Sequence, residues 1–344
     1  MKILYSVQAT GNGHISRAME LLPHFQKYGT VDIFLSGENS SLNLDAPVKY
    51  RSKGLSLYYT CTGKLNHWML AKKISPLRMF KEIRELPVEK YDLVINDFEC
   101  ITSLACALKK KPSVNFGHQA SFQSTKTPRP EAQSKVGEWI LKNYARASQY
   151  IGLHFECYDN FIFPAVIKEE ILQAEKRNKG HITVYLPSYC DHVLEKYLKP
   201  LTDFRFEVFS HRAKERQRLD HIEFIPVSRK DFNKSLVNCH GIITGGGFET
   251  PAEALYLKKK LLSIPILGQY EQQCNAAALK KLGIPVLNKL DDDFTDHFNG
   301  WINSNHTPKM SYDYTTESIV KILMYRCSNL RNELDLTYPQ LIFN

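Results

Sequence analysis

Short apolar runs punctuate the whole chain, and between them the apolar residues fall at helical spacing. Ile3 to Val7, Val31 to Leu35, Tyr91 to Ile95, Val114 to Phe116, Ile182 to Leu186, Phe204 to Phe209, Ile242-Ile243 and Leu261 to Leu267 are too short for helices and end in polar or glycine-bearing turns. Near-continuous apolar runs of that kind read as strands covered on both faces, the pattern of a parallel sheet. The stretches between them, such as the one carrying Met19, Leu21, Leu22 and Phe25, present an apolar stripe suited to lying on such a sheet. Strand and helix in alternation predict an α/β fold. A charged stretch from Lys168 to Gly180 interrupts the pattern, which restarts at His181. Two domains are therefore expected, residues 1–175 and 176–344, although no internal repeat relates them. A final helix is expected from Thr315 to Arg331.

Composition narrows the class without naming a function. A chain of 344 residues, 43% hydrophobic and 24% charged, can bury two cores and is not of a disordered type. The first strand is too brief for a signal-peptide core, and no stretch approaches the roughly 20 apolar residues of a membrane span, so a cytoplasmic location is expected. Eight cysteines are scattered without a C-x-x-C pair, which points to buried thiols, not to a zinc site or a disulfide framework. The net charge of +9, from 45 basic against 36 acidic residues, calls for an anionic partner: lipid, nucleic acid or a phosphorylated substrate. Nucleic acid is the weakest of these. No binding motif is present, and the longest basic runs, Lys109 to Lys111 and Lys258 to Lys260, sit at expected helix ends where lysines suit the helix dipole.

Most of the chemistry is concentrated between Gly241 and Ala277. Ile242-Ile243 runs into Gly245-Gly246-Gly247, and a helix should open just after, with Thr250 as its cap, Pro251 in its first turn and Glu253 at capping-box distance. The free amides and positive end of that helix would face whatever sits over the glycines, and a phosphate is the natural occupant. Gln269 to Gln273 should form a polar loop at the carboxyl edge of the sheet, where open α/β folds build their binding crevice. Read by themselves, the glycines could equally do no more than turn the chain.

Taken whole, Gly-Gly-Phe-Glu-Thr-Pro-Ala-Glu-Ala, then Ile-Pro, then Glu-Gln-Gln-Cys-Asn-Ala resembles the donor-binding signature of GT-B glycosyltransferases of the MurG and UDP-glucuronosyltransferase group. The resemblance implies two Rossmann-like domains with parallel sheets facing across a cleft, and a last helix that often returns to the first domain. It also implies a site. Gly245, Gly246 and Gly247 would bind a nucleotide diphosphate, Glu253 would hold the ribose, and Glu271 with Gln272 the transferred sugar; Phe248, Thr250 and Asn275 in the same block would belong to the donor site. One departure stands out, since many relatives carry a diphosphate-binding His where this chain has Gly245, and His240 is too far away in sequence to inherit the role.

The same resemblance interprets the loop after the first strand, Gln8 to Ala18. As a dinucleotide fingerprint it is poor, because Ser16 stands where a third glycine belongs. As the glycine loop of a GT-B amino-terminal domain it is good: Gly11, Asn12 and Gly13 turn the chain, and His14 matches the residue that acts as general base in several members. Asp97, at the end of the Tyr91 strand, resembles the aspartate that pairs with that His in plant-type members. His118-Gln119 resembles a His-containing segment of MurG on the acceptor side. Simpler roles stand beside these, His14 as a capping or solvated residue and Asp97 as the cap of the helix holding Ile101 to Leu108.

Three further stretches complete the picture. Lys64 to Arg84 interleaves Trp68, Met69, Met79 and Phe80 with basic residues, which suits either an anionic bilayer or packing on the core. Residues 121–135, rich in Ser, Thr, Lys, Arg and Pro, read as a long mobile loop on the acceptor side. Asp291 to Asp293 reads as a helix cap more readily than as a metal site. The expected function is inverting, metal-independent transfer from a nucleotide sugar, a UDP-sugar first, to an acceptor hydroxyl that is lipid-linked or near a membrane; no cofactor or metal is expected. A nucleotide-sugar 2-epimerase and a non-catalytic nucleotide-sugar-binding subunit are the alternatives.

Overall fold

Each apolar run becomes a buried strand in the computed structural model, which describes residues 1–37, 40, 44–54, 75–304 and 312–334, the last seven by backbone alone. One sheet comprises β1 (Lys2–Gln8), β2 (Thr30–Ser36), β3 (Val48–Ser52), β4 (Leu93–Asp97), β5 (Val114–Gly117), β6 (Gln149–His154) and β7 (Ile162–Pro164). Its order is β3-β2-β1-β4-β5-β6-β7, parallel throughout. The other comprises β8 (His181–Tyr185), β9 (Arg205–Ser210), β10 (Gln217–Leu219), β11 (Ile222–Pro226), β12 (Gly241–Thr244) and β13 (Lys260–Ser263). Its order is β10-β11-β9-β8-β12-β13, parallel except for the β10–β11 hairpin.

Helices α1 (Asn12–Gln26), α2 (Pro76–Glu85), α3 (Cys100–Leu108) and α4 (Lys135–Asn143) flank the first sheet. After the short α5 (Glu169–Leu172) come α6 (Asp191–Leu198), α7 (Arg229–Asn238), α8 (Glu249–Tyr256), α9 (Tyr270–Lys281) and α10 (Phe294–Asn303) beside the second. The last, α11 (Thr316–Leu334), places Ile319, Val320 and Leu323 in the same core as Ile3, Tyr5 and Phe25, and Glu317 3.6 Å from Lys27 at the carboxyl end of α1. Edge-to-face ring pairs, Tyr5–Phe25 at 5.0 Å and Phe25–Phe116 at 6.2 Å, bind α1 to its sheet.

Strand order reverses between β1 and β4 in one sheet and between β8 and β12 in the other. A crevice opens beyond the carboxyl ends of the strands at such points. Gly11 to Gly13 follow β1, and Gly245 to Gly247 follow β12, so each glycine turn lies at the crevice of its own sheet. The two crevices face each other, and Asn12 Nδ2 donates to the Tyr185 hydroxyl at the end of β8, 3.2 Å away. Farther along α1, Glu20 accepts from Arg229 Nη2 of α7 at 2.6 Å.

Several local expectations are corrected. Pro265, which has no amide hydrogen to give the ladder, follows β13 closely, and the strand ends at Ser263 instead of Leu267. Gly268, at φ +84°, then turns the chain into α9, so Tyr270 to Gln273 form a first helical turn and not a loop. Helix α8 has the buried Phe248 at its cap position; Thr250 falls inside the first turn and no capping box forms. The proline-bearing stretch is pinned, not loose: Arg129 donates to the Phe122 carbonyl and to Glu138, and Thr127 to the Ser121 carbonyl. Asp293 stands at the cap position of α10 without a side-chain cap bond. Lys259 is buried, donating to the carbonyls of Arg177 and Cys239 instead of facing solvent. Five cysteines, Cys100, Cys106, Cys239, Cys274 and Cys327, are buried thiols, but Cys157 is exposed and Cys190 is disulfide-bonded. Of the basic aromatic stretch, residues 64–74 lie outside the described residues.

Candidate active site

The end of β1 and the glycine turn carry His14 into the first turn of α1, where 13% of its side chain remains exposed. Its Nδ1 lies 3.0 Å from Asp97 Oδ1 at the end of β4. Asp97 does not cap the next helix, because Glu99 does so, accepting from the amides of Ile101 at 2.9 Å and Thr102 at 2.6 Å. One helical turn beyond His14, Arg17 grips the same carboxylate with Nε at 3.1 Å and Nη2 at 2.7 Å, a two-pronged match to its geometry. Burial opposes ionisation of Asp97, yet Arg17 and His14 outweigh it and hold the carboxyl down at about 2. Gly117, at the end of β5, leaves room for the pair: a Cβ there would stand 2.6 Å from Asp97 Oδ1.

Gln119 fixes which His14 nitrogen is free. Its amide nitrogen donates to Glu271 Oε1 at 3.0 Å and lies 3.4 Å from His14 Nε2. Turned over, the amide would set its oxygen against the Glu271 carboxylate, so the nitrogen belongs where it is. Nδ1 faces the Asp97 carboxylate and also lies 3.0 Å from Arg17 Nη2; the tautomer that gives Asp97 a proton from Nδ1 leaves Nε2 as the acceptor. An imidazole held with one nitrogen against a buried carboxylate is an arrangement that general bases use.

The facing wall is built by β12, α8 and α9. Gln272 Oε1 accepts from the amides of Gly246 at 3.0 Å and Ile266 at 2.9 Å, and Asn275 Nδ2 donates to the Gly246 carbonyl at 2.9 Å. Any side chain at Gly246 would collide, since its Cβ would lie 2.8 Å from the Gln272 carbonyl oxygen, whereas a Cβ at Gly247 would meet open space. Gln272 and Asn275 thus brace the turn. The Phe248 ring stacks on His118 at 4.0 Å and 6°, and His118, itself buried, sets its ring nitrogens 2.9 Å from the Leu153 carbonyl oxygen and 2.8 Å from Asn275 Oδ1. Burial lowers the pKa of this imidazole. His118 therefore packs where the halves meet and does not line an open acceptor surface. Glu253, expected at a ribose, is buried and receives Lys168 Nζ at 3.0 Å, which also donates to Asn233 Oδ1 at 3.0 Å. Thr250 is half-buried at the start of α8.

The fold therefore gathers Gly11, Asn12, Gly13, His14, Asp97, Gln119, Glu271 and the Gly245–Gly247 turn around one crevice, while Phe248, His118, Gln272, Asn275 and Glu253 are engaged within its walls. The sequence reading missed Arg17 and Glu249. Arg17 Nη1 crosses the crevice to Glu249 Oε1, the first residue of α8. Burial pushes the Glu249 carboxyl up, to about 7, against the pull of Arg17. The i, i+3 spacing from His14 to Arg17 was a signal for the first; the second had only its place after three glycines. Among the described residues no group of three or more His, Cys, Asp or Glu is placed to hold a metal ion.

Two facing Rossmann-like domains with glycine turns at their opposed crevices give the GT-B architecture, and solved structures agree on the fold. The spinosyn forosaminyltransferase SpnP is similar at 12% identity and a TM-score of 0.58, with 95% of this chain and 99% of that one covered. MurG of Acinetobacter baumannii follows at 16% identity and 0.52, covering 98% and 99%. UGT89C1 of Arabidopsis thaliana, solved with quercetin, gives 12% and 0.55, covering 95% and 94%. No protein of curated function is matched by sequence. Residues 1–302 match the profile of the family described as Glycosyl transferase family 1, and the chain belongs to that family. It is a glycosyltransferase.

Proposed function

We propose that the chain transfers the sugar of a UDP-sugar to an acceptor hydroxyl with inversion and without a metal ion, between domains spanning residues 1–175 and 176–344. The observation that carries this reading is the His14–Asp97 pair, 3.0 Å apart, with Nε2 on the other side of the ring beside the Gln119 amide. The acceptor O–H gives its proton to Nε2 as the oxygen attacks the anomeric carbon, and the bond from that carbon to the diphosphate breaks with its electron pair leaving on the nucleotide. A single displacement of this kind inverts the carbon. The amides of the glycine turn and the α8 amino terminus meet the charge that develops on the diphosphate, the work a metal does elsewhere. Glu253 takes the ribose hydroxyls once Lys168 gives way, and Glu271, which keeps an exposed edge, contacts the sugar. A thermal-shift screen of UDP-, dTDP- and GDP-sugars tests the donor: a selective rise in melting temperature with UDP-sugars is expected, because a ligand of the native state alone stabilises it. No shift with any of them would remove the reading.

An acceptor at a membrane surface, with a location peripheral on the inner face, is supported by α2. None of its residues is buried; Leu77 is 86% and Phe80 58% exposed, beside Arg78, Lys81 and Arg84. No helix among the described residues is long and apolar enough to cross a membrane. The chain is expected to sediment with anionic vesicles and not neutral ones, with binding that falls as salt rises and weakens when Lys81 and Arg84 are neutralised; each well-placed cation contributes about 1 kcal/mol at low salt. Equal, negligible binding to both vesicle types would leave a soluble acceptor.

A further inference from the structure

Glu249 poses a chemical puzzle. It is the first residue of α8, so its carboxylate stands at the helix end that would otherwise attract a phosphate. Its side chain does not turn to solvent. It reaches across the crevice, so that a Cβ on Gly13 would lie 3.2 Å from its Cγ, and it ends on Arg17 Nη1. The carboxylate thus fills the gap between the two glycine turns, while the Cβ sides of Gly11 and Gly247 open onto empty space. Arg17 is divided between two anions: Nε and Nη2 are committed to Asp97 within its own domain, and Nη1 is given to the opposite domain. Only the second contact can be exchanged without disturbing the pair behind His14. Gly245 has no side chain to offer a phosphate from its own wall.

We propose that Glu249 is a carboxylate gate on the diphosphate subsite, and that the donor's diphosphate displaces it to take its place against the Arg17 guanidinium. The inference rests on the donor site proposed above and assigns Arg17 as its phosphate-binding cation. Exchange of one anion for another keeps Arg17 neutralised in both states. The displaced carboxylate then meets a phosphate at close range, so the exchange favours a protonated Glu249. The ionisable groups facing it are Arg17 and His14 of α1, Asp97 of β4, Tyr5 of β1, Glu253 of its own helix and Tyr312. Of these, Asp97 and Glu253 add to burial in holding the proton on, and Arg17 opposes them. Sign follows directly: the gate opens more easily below about pH 7 and resists above it.

Calorimetric titration of the full chain with UDP and with uridine, at pH 6, 7 and 8, separates the gate from a plain structural contact. Glu249→Gln keeps the shape and removes the charge. At pH 8 it should bind UDP about tenfold more tightly than wild type, since a site whose competent form is about one-tenth populated binds that much more weakly. At pH 6 the two should agree within about twofold, and the phosphate's own titration cancels in the comparison. Arg17→Gln should lose roughly tenfold or more for UDP, the scale of a charge-assisted hydrogen bond, with uridine unchanged. Parallel pH profiles for wild type and Glu249→Gln would overturn the gate, as would equal losses for UDP and uridine in Arg17→Gln. Should Arg17→Gln fail to fold with Asp97 unpaired, the near-isosteric Glu249→Gln still decides. A wild-type chain that binds no nucleoside diphosphate, GDP and dTDP included, removes the donor site itself, a result distinct from binding without the pH difference.

Discussion

His14→Ala should turn over roughly 10²- to 10⁴-fold more slowly than wild type, the range expected when a positioned base is lost. Nucleotide affinity should stay within about twofold, because the ring touches the acceptor's proton and not the donor's phosphates. The expected size follows from how firmly the imidazole is held. Asp97 faces Nδ1, Arg17 holds Asp97, and the Gln119 amide lies beside Nε2, so the ring is held in place before substrates arrive. Single-turnover rates with a matched donor and acceptor provide the measurement. Turnover that survives His14→Ala would take the residue out of the chemistry and leave Asp97–Arg17 as a structural ion pair.

The largest expected effect on stability lies at the Lys168–Glu253 pair. Both side chains are nearly inaccessible, and Glu253→Ala would strand the ammonium among Asn233 and the ring of Phe232, 5.8 Å away. Breaking a buried pair from one side costs about 3–5 kcal/mol, whereas replacing both partners by apolar residues of similar volume is close to neutral. Denaturant unfolding of Glu253→Ala, Lys168→Met and the double variant Lys168→Met with Glu253→Leu should therefore show two weak chains and one near wild type. The double variant also isolates the ribose. A folded double variant that binds UDP as tightly as wild type would end the assignment of Glu253 to the ribose hydroxyls. Two single variants as stable as wild type would show the pair to be energetically idle.

Much of this architecture was legible because the strands of a doubly wound sheet announce themselves as short apolar runs ending in polar or glycine-bearing turns. His14 and Asp97 could be found in the same way: each follows an apolar run at a sheet's carboxyl edge, where side chains have nowhere to point but the crevice. What could not be read was partnership across the crevice. In sequence Gln272 looks like a sugar contact and Asn275 like a donor-site residue, but both hydrogen-bond the backbone of Gly246. Glu253 looks like a ribose ligand because its spacing from Gly247 is right; nothing in that spacing reveals Lys168, 85 positions earlier. The helix that absorbs Tyr270 to Gln273 was mistaken for a loop because its first turn is polar, the face that Gln119 and Glu138 meet. Thr250 failed as a cap since the packing of Phe248 on His118, not a local hydrogen bond, sets where α8 begins.

One helix carries both the proposed base and the fasteners. His14, Arg17 and Glu20 follow one another at three-residue intervals along α1, meeting Asp97, Glu249 and Arg229 in turn. At about 1.5 Å per residue the three anchors span roughly 9 Å of a rigid rod. Rotating that rod by even a fraction of a turn to release one of them would shift the other two and swing the imidazole off its line. Substitutions at Arg229 or Glu20, well removed from the reacting atoms, should then register as slow enzymes before they register as unstable ones.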